Sequence, residues 1–167
     1  NRLRKNYHTL KQLHGGKLLA VVKADAYGHG AVRCAQALDD IADGFAVAML
    51  EEALLLRENG IRKPIVLLEG VFEANEYAQV EQWDLWPVIH HQAQLESFLA
   101  HPWQSPHTVW LKMDSGMHRA GFFSAQLRRC LYRLAAKSTR RRNHQNEPLC
   151  LCRRNRPRHD RITNRNL

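Results

Sequence analysis

The sequence has no apolar run near the roughly 20 residues that a helical membrane span needs, although 44% of its 167 residues are hydrophobic. Its first residues are polar and basic, without the apolar centre of a secretory leader. It opens on Asn1, not Met, inside a helical pattern, so the expectation is that the true start lies upstream. Cysteine is scarce: Cys34, Cys130, Cys150 and Cys152. Only the last two stand close, as Cys-Leu-Cys, and no second pair sits at zinc-finger spacing. The four are expected to be unpaired thiols of a cytoplasmic protein. His90, His91 and His101 invite a metal reading, but no carboxylate or cysteine lies at ligand spacing. Adjacent residues on a strand also point to opposite faces, so no metal site is expected. A dinucleotide fingerprint is missing too, because Gly28-His29-Gly30 lacks a third glycine at the right place.

Charge is unevenly spread. The formal net charge of +9 suggests a nucleic-acid binder. Residues 1–127, however, hold 12 Lys+Arg against 14 Asp+Glu, whereas residues 128–167 hold 13 against 2. The basicity belongs to the last 40 residues, and the rest is mildly acidic. A division follows: residues 1–127 as a folded unit and 128–167 as a basic tail, irregular or disordered.

Apolar periodicity organises residues 1–127. A helix is expected from Asn1 to Leu13, with Leu3, Tyr7, Leu10 and Leu13 on one face, and His14-Gly15-Gly16 as its stop. Leu18 to Lys23 reads as a buried strand. Further strands are expected at Phe45–Ala48, Ile65–Leu68, Leu85–Ile89 and His107–Lys112, the fourth weakened by Pro87. Helices are expected at Val32–Ile41, Leu50–Asn59, Glu73–Trp83 and His91–Ala100, with another from Ser124. Strand and helix thus alternate five times, which predicts parallel strands with crossover helices. The closures compatible with this are an open doubly wound sheet or a (β/α)8 barrel. The regular rhythm favours the barrel. A barrel needs eight units and about 250 residues, so about five units make a partial one.

Two stretches carry chemistry. The first is Leu18-Leu19-Ala20-Val21-Val22-Lys23-Ala24-Asp25-Ala26-Tyr27-Gly28-His29-Gly30. It places one amine at the carboxyl end of a core strand, where α/β folds put their reactive groups. A lysine partly desolvated there becomes a nucleophile toward aldehydes and can form a Schiff base. Taken alone, Lys23 reads first as a lysine that closes a strand and reaches water. The glycines after Tyr27 let the backbone approach an anion, and the next helix start favours negative charge. The second stretch is Val109-Trp110-Leu111-Lys112-Met113-Asp114-Ser115-Gly116-Met117-His118-Arg119-Ala120-Gly121-Phe122. It is again a strand ending in lysine, followed by a glycine-rich loop. Arg119 can donate in a fork toward an oxyanion; alone, the loop also reads as ordinary solvated charge.

Together these strings resemble the alanine racemase family. Ala-Val-Val-Lys-Ala-Asp-Ala-Tyr-Gly-His-Gly is similar to its cofactor-lysine signature. Lys112 to Gly121 resembles its Lys-x-Asp-[Ser/Thr]-Gly-Met-x-Arg-x-Gly loop. Asp-Gly-Phe-Ala-Val-Ala and Pro-Ile-Val-Leu-Leu-Glu-Gly, between them, look alike as well. The resemblance covers roughly Asn1 to Phe123. It implies a barrel that binds pyridoxal 5′-phosphate (PLP) and interconverts L- and D-alanine, supplying D-alanine for peptidoglycan, as a cytoplasmic homodimer. It further implies that Lys23 holds PLP and acts as one of two acid/base groups. Tyr27 would bond the cofactor phosphate, Arg119 would lie beside its phenolic oxygen, and Lys112 would be the strand lysine that is carbamylated in some members.

Some expected pieces do not appear in these residues. The family's opposing base is a tyrosine of a C-terminal β-domain. Its pyridine-nitrogen partner is an arginine on a later strand. A Ser-His-Phe-type histidine should follow Arg119 by roughly 25–35 residues; His144 stands near that distance, without a strand around it. The tail from Arg128 has three readings: a disordered extension, a weak and non-specific nucleic-acid arm, or a shifted reading frame. For the last, Leu151-Cys152-Arg153-Arg154-Asn155-Arg156 can be written in codons whose next frame gives Phe-Ala-Asp-Glu-Thr. The 167 residues by themselves are therefore expected to be inactive. A PLP-holding barrel without racemisation is the other enzyme-class reading.

Overall fold

The computed structural model describes residues 2–141. Five strands form one sheet in the order β1-β2-β3-β4-β5. They are β1 (Leu19–Val21), β2 (Gly44–Val47), β3 (Ile65–Leu67), β4 (Leu85–Ile89) and β5 (Trp110–Leu111). Every neighbouring pair is parallel. Between and around them run α1 (Arg2–His14), α2 (Lys23–Gly28), α3 (Ala31–Leu38), α4 (Leu50–Glu58), a 3₁₀ turn (Ala74–Glu76) leading into α5 (Tyr77–Gln82), α6 (Gln92–Ala100) and α7 (Ser124–Arg141).

Sequential strand order decides between the two closures. A doubly wound sheet reverses its order at a switch point and carries helices on both faces. Here the order never reverses, and the helices share one face. Phe45, Val47, Ile65, Leu67, Leu85 and Ile89 pack with the helix residues Ala35, Leu56, Tyr77 and Leu95 in the main core. The alternate strand residues Ala46, Val66 and Val88 turn the other way, beside Leu19, Leu68, Trp86 and Trp110. This is the wall of a barrel-type α/β fold, as expected.

Pro87 is accommodated inside β4. Ile89, of the same parity, bonds toward β5 by accepting from the Lys112 N–H at 3.0 Å. The missing donor of Pro87 therefore faces the β5 side. Pairing with β5 starts only at Val88 and Ile89.

Two expectations need correction. In α1 only Tyr7 is buried, while Leu10 and Leu13 are exposed. Polar tethers set the rotation of this helix. Arg4 grips Asp40, the Tyr7 hydroxyl donates to the Leu18 carbonyl at 2.6 Å, and Lys11 pairs with Asp43 at 2.8 Å. Residues 4, 7 and 11 share a helical face, and it is theirs that turns inward. The second correction concerns the boundary at residue 127. Helix α7 runs across it, so residues 128–141 are helical, not irregular. Cys130 and Leu134 are buried in the main core. Arg133 forks onto Glu96 of α6, and Lys137 donates to the Phe98, Leu99 and His101 carbonyls at the α6 carboxyl end. Cations complement that end of a helix. Residues 142–167, with His144, Cys150, Cys152 and the frame-shift string, lie outside the described residues.

One buried charge holds the opposite, amino-terminal ends of the strands. Arg57 is only 5% exposed. Its guanidinium donates to the carbonyls of Ile61, Lys63, Trp83 and Asp84, at 2.7 to 3.0 Å. Burial pulls its pKa below the ordinary guanidinium value. The segments entering β3 and β4 are thereby fastened to α4.

Candidate active site

Because all five strands are parallel, their carboxyl ends lie along one edge of the sheet. Lys23 stands there, half-buried, just beyond β1. The strand is shorter than expected, but Val22 continues the ladder by donating to the Ala46 carbonyl at 2.9 Å. The chain then turns in an unusual way. Ala24, Asp25, Ala26 and Tyr27 all have φ of 52° to 53°. Four successive left-handed residues, none a glycine, cost roughly 1–2 kcal/mol each. Such strain persists only where surrounding structure imposes it, and it gathers at functional sites. Here the Ala26 N–H reaches the Val22 carbonyl and the Gly30 N–H reaches the Asp25 carbonyl, both at 2.9 Å. The turn leaves Lys23 at the sheet edge and Tyr27, its last left-handed residue, 65% exposed.

At the start of α3, where an anion is expected, one backbone donor is already engaged. The Ala31 N–H donates to Asp25 Oδ1 at 2.7 Å. A carboxylate of the chain itself caps that N–H.

The second stretch forms a tight loop at the other side of the sheet. Lys112, half-buried, follows β5 directly. Its carbonyl accepts from Phe122 N–H at 2.9 Å, and the Asp114 N–H donates to the Phe122 carbonyl at 2.9 Å. Asp114 is not a solvated charge. Its Oδ1 accepts the Gly116 and His118 N–H groups, and its Oδ2 contacts the His118 ring at 3.1 Å. Those backbone donors, Gly116 first, hold its pKa below the usual carboxylate range. With Asp114 engaged inside the loop, Arg119 is left exposed at its tip.

His90 and His91 differ from expectation. The strand ends at Ile89, so they do not alternate across a sheet. Their rings meet edge to face, 5.0 Å apart. His90 contacts the Glu69 carbonyl at 3.0 Å, and His91 caps α6. Among the described residues no group of three or more His, Cys, Asp or Glu could hold a metal ion.

Sequence reasoning passed over two residues that shape this edge. Gln94 is 5% exposed; its amide donates to the Glu69 and Val71 carbonyls and accepts the His90 N–H. Glu52 bonds three backbone N–H groups, including that of Ala24. Glu52 at the third helical position was visible, but Met49 at the cap hid the usual Ser/Thr signature.

A family model described as "Alanine racemase, N-terminal domain" matches residues 1–143. The chain belongs to the alanine racemase family. An alanine racemase of Neisseria gonorrhoeae is 69% identical over 121 residues, covering 72% of this chain and 34% of that protein. One of Pseudomonas entomophila is 56% identical over 134 residues, covering 80% and 38%. The crystal structure of the biosynthetic alanine racemase of Pseudomonas aeruginosa superposes with a TM-score of 0.77 at 50% identity, covering 80% of this chain and 38% of that one. The chain thus spans about a third of the length of these family members. That length relation matches the architecture, in which five strands make a wall and not an enclosed mouth. Two surface concavities, about 430 Å³ along α7 and about 480 Å³ beside the end of α1, include none of Lys23, Tyr27, Lys112 or Arg119. No described helix is long and apolar enough to cross a membrane.

Proposed function

We propose that this chain is the PLP-binding portion of an alanine racemase, which interconverts L- and D-alanine when its site is complete. The observation that carries this reading is Lys23, half-buried at the carboxyl edge of the sheet, in a family whose named members are alanine racemases. The donor set along the edge fits the cofactor. An amine, a phenol and a guanidinium suit an aldehyde, a phosphate and a phenolic oxygen respectively.

When bound, the cofactor would withdraw electrons from the substrate α-carbon and so acidify its proton. Lys23 would attach the cofactor and then carry a proton on one face of that carbon. Tyr27, exposed at the end of the left-handed turn, would donate to the phosphate. Arg119 would approach the phenolic oxygen from the tip of its loop. Lys112, fixed through its backbone to β4 and to Phe122, would support that loop from below. The opposing base would come from the wider assembly, which we take to be a homodimer of a cytoplasmic protein. The 167 residues alone are therefore expected to bind PLP yet turn over alanine at least about 10²-fold below a complete relative.

The test is borohydride reduction after adding PLP, followed by peptide mapping. The expected result is one modified lysine, Lys23, and no modification in Lys23→Ala. Equal labelling of many lysines in the unaltered chain would refute the reading.

A further inference from the structure

The Lys23 turn is held from outside by a carboxylate 28 residues further along the chain. Glu52 Oε2 accepts the N–H groups of Ala48 (2.7 Å) and Met49 (3.0 Å). That is the ordinary reach-back of an acidic residue in a first helical turn. The other oxygen, Oε1, is free of that task and accepts the N–H of Ala24 at 2.6 Å. Ala24 is the residue after Lys23 and the first of the four left-handed residues. The bond closes a link from the lysine to the β2–α4 junction. Val22 makes a second link to the same strand through the Ala46 carbonyl. Lys23 is therefore bracketed on both sides by bonds to one neighbouring strand and its following helix.

We infer that Glu52 is a positioning residue for Lys23. It sets the direction in which the lysine leaves the sheet, by fixing the peptide that follows it. Neither internal bond of the turn does this. Ala26 to Val22 and Gly30 to Asp25 lie within residues 22–30 and would move with the turn as a unit. Asp25 likewise ties the turn only to the helix that follows it. Glu52 anchors it to the frame of the sheet. The inference rests on the reading of Lys23 as the cofactor lysine.

Glu52→Gln separates this role from helix capping. Glutamine serves in the reach-back position as glutamate does. Its carbonyl can keep Ala48 and Met49, which leaves its NH2 group facing the Ala24 N–H, donor against donor. Glu51→Gln is the control, since Glu51 is exposed in the same helical turn. In Glu52→Gln, amide exchange at Ala24 should quicken about tenfold or more while exchange in β2 and β3 is unchanged. The apparent affinity for PLP at Lys23, read by absorbance and borohydride trapping, should fall about tenfold, the lower end of what supporting contacts around a site contribute. The NMR resonances of the Lys23 side chain should also move from those of the unaltered chain. Glu51→Gln should match the unaltered chain in all three. Ala24 exchange unchanged in Glu52→Gln overturns the proposal, and so does faster exchange with unaltered Lys23 side-chain resonances. If the unaltered chain does not attach PLP, the proposed function fails, and amide exchange together with the Lys23 side-chain resonances decides the role of Glu52.

Discussion

Asp25 Oδ1 accepts the Ala31 N–H at 2.7 Å, so a carboxylate within the lysine turn caps the helix that follows it. The cap residue by position, Gly30, offers no side chain for this purpose. Asp25→Ala should therefore cost about 1 kcal/mol, within the range for lost caps. Asp25→Asn should retain most of that, because its carbonyl still accepts. Urea unfolding of the two variants checks the order. Equal losses would mean that charge, not the hydrogen bond, matters here.

Arg57→Ala should destabilise the fold by about 3 kcal/mol or more, since it strands several inward-facing carbonyls at once. Arg57→Lys should rescue little. An ammonium group cannot fork toward Ile61, Lys63, Trp83 and Asp84 together. A loss below about 1 kcal/mol for alanine in chemical denaturation would contradict this role.

Acid should loosen α7 from α6. The Arg133 guanidinium, with the Gln92 amide, holds Glu96 down to about 2. An unfolded glutamate titrates near 4.3. Between those values the unfolded chain binds more protons, so stability rises with pH there. The contribution is fully present above about pH 5 and fades as pH falls toward 2. Glu96→Gln should flatten this acid limb. Because the pair is largely exposed, about 1 M salt should shrink the difference between the two proteins. An acid limb identical in both at low salt would remove Glu96 from the account.

Gly121 should tolerate no side chain. Its φ is +120°, and an added Cβ would lie 2.6 Å from the Asp114 nitrogen and 2.8 Å from the Met113 carbonyl carbon. Gly121 also donates to the His90 carbonyl at 3.1 Å, which joins the Arg119 loop to β4. Gly116 has φ +130° but open space around it. Gly116→Ala should cost only backbone strain, about 1–3 kcal/mol. Gly121→Ala should cost more and speed amide exchange at Phe122. Comparable stability losses for the two would argue against the close approach.

Much of the chain could be read in one dimension because its signals are local. Continuous apolar runs such as Phe45–Ala48 and Ile65–Leu68 announce strands buried on both faces. Their alternation with helical patterns announces parallel pairing. The Lys23 and Lys112 strings carry the family resemblance by residue type and spacing alone. Pro87 looked like an obstacle only because a sequence does not show which neighbour a missing N–H would face.

The sequence by itself determined the order of the elements, the parallel α/β class and the family, since periodicity and motif are properties of neighbours along a chain; the sequential strand order that makes the sheet barrel-type belongs to the tertiary structure. Tertiary structure alone decided which face of α1 turns inward, because Asp40, Asp43 and Leu18, distant in sequence, hold Arg4, Lys11 and Tyr7. It alone decided that α7 continues past residue 127, where Glu96 and the end of α6 receive its cations. It alone revealed that Ala24 to Tyr27 wind left-handed. No local preference favours that path for such residues, and the peptide that leads into it is bonded to Glu52, 28 positions away from Ala24.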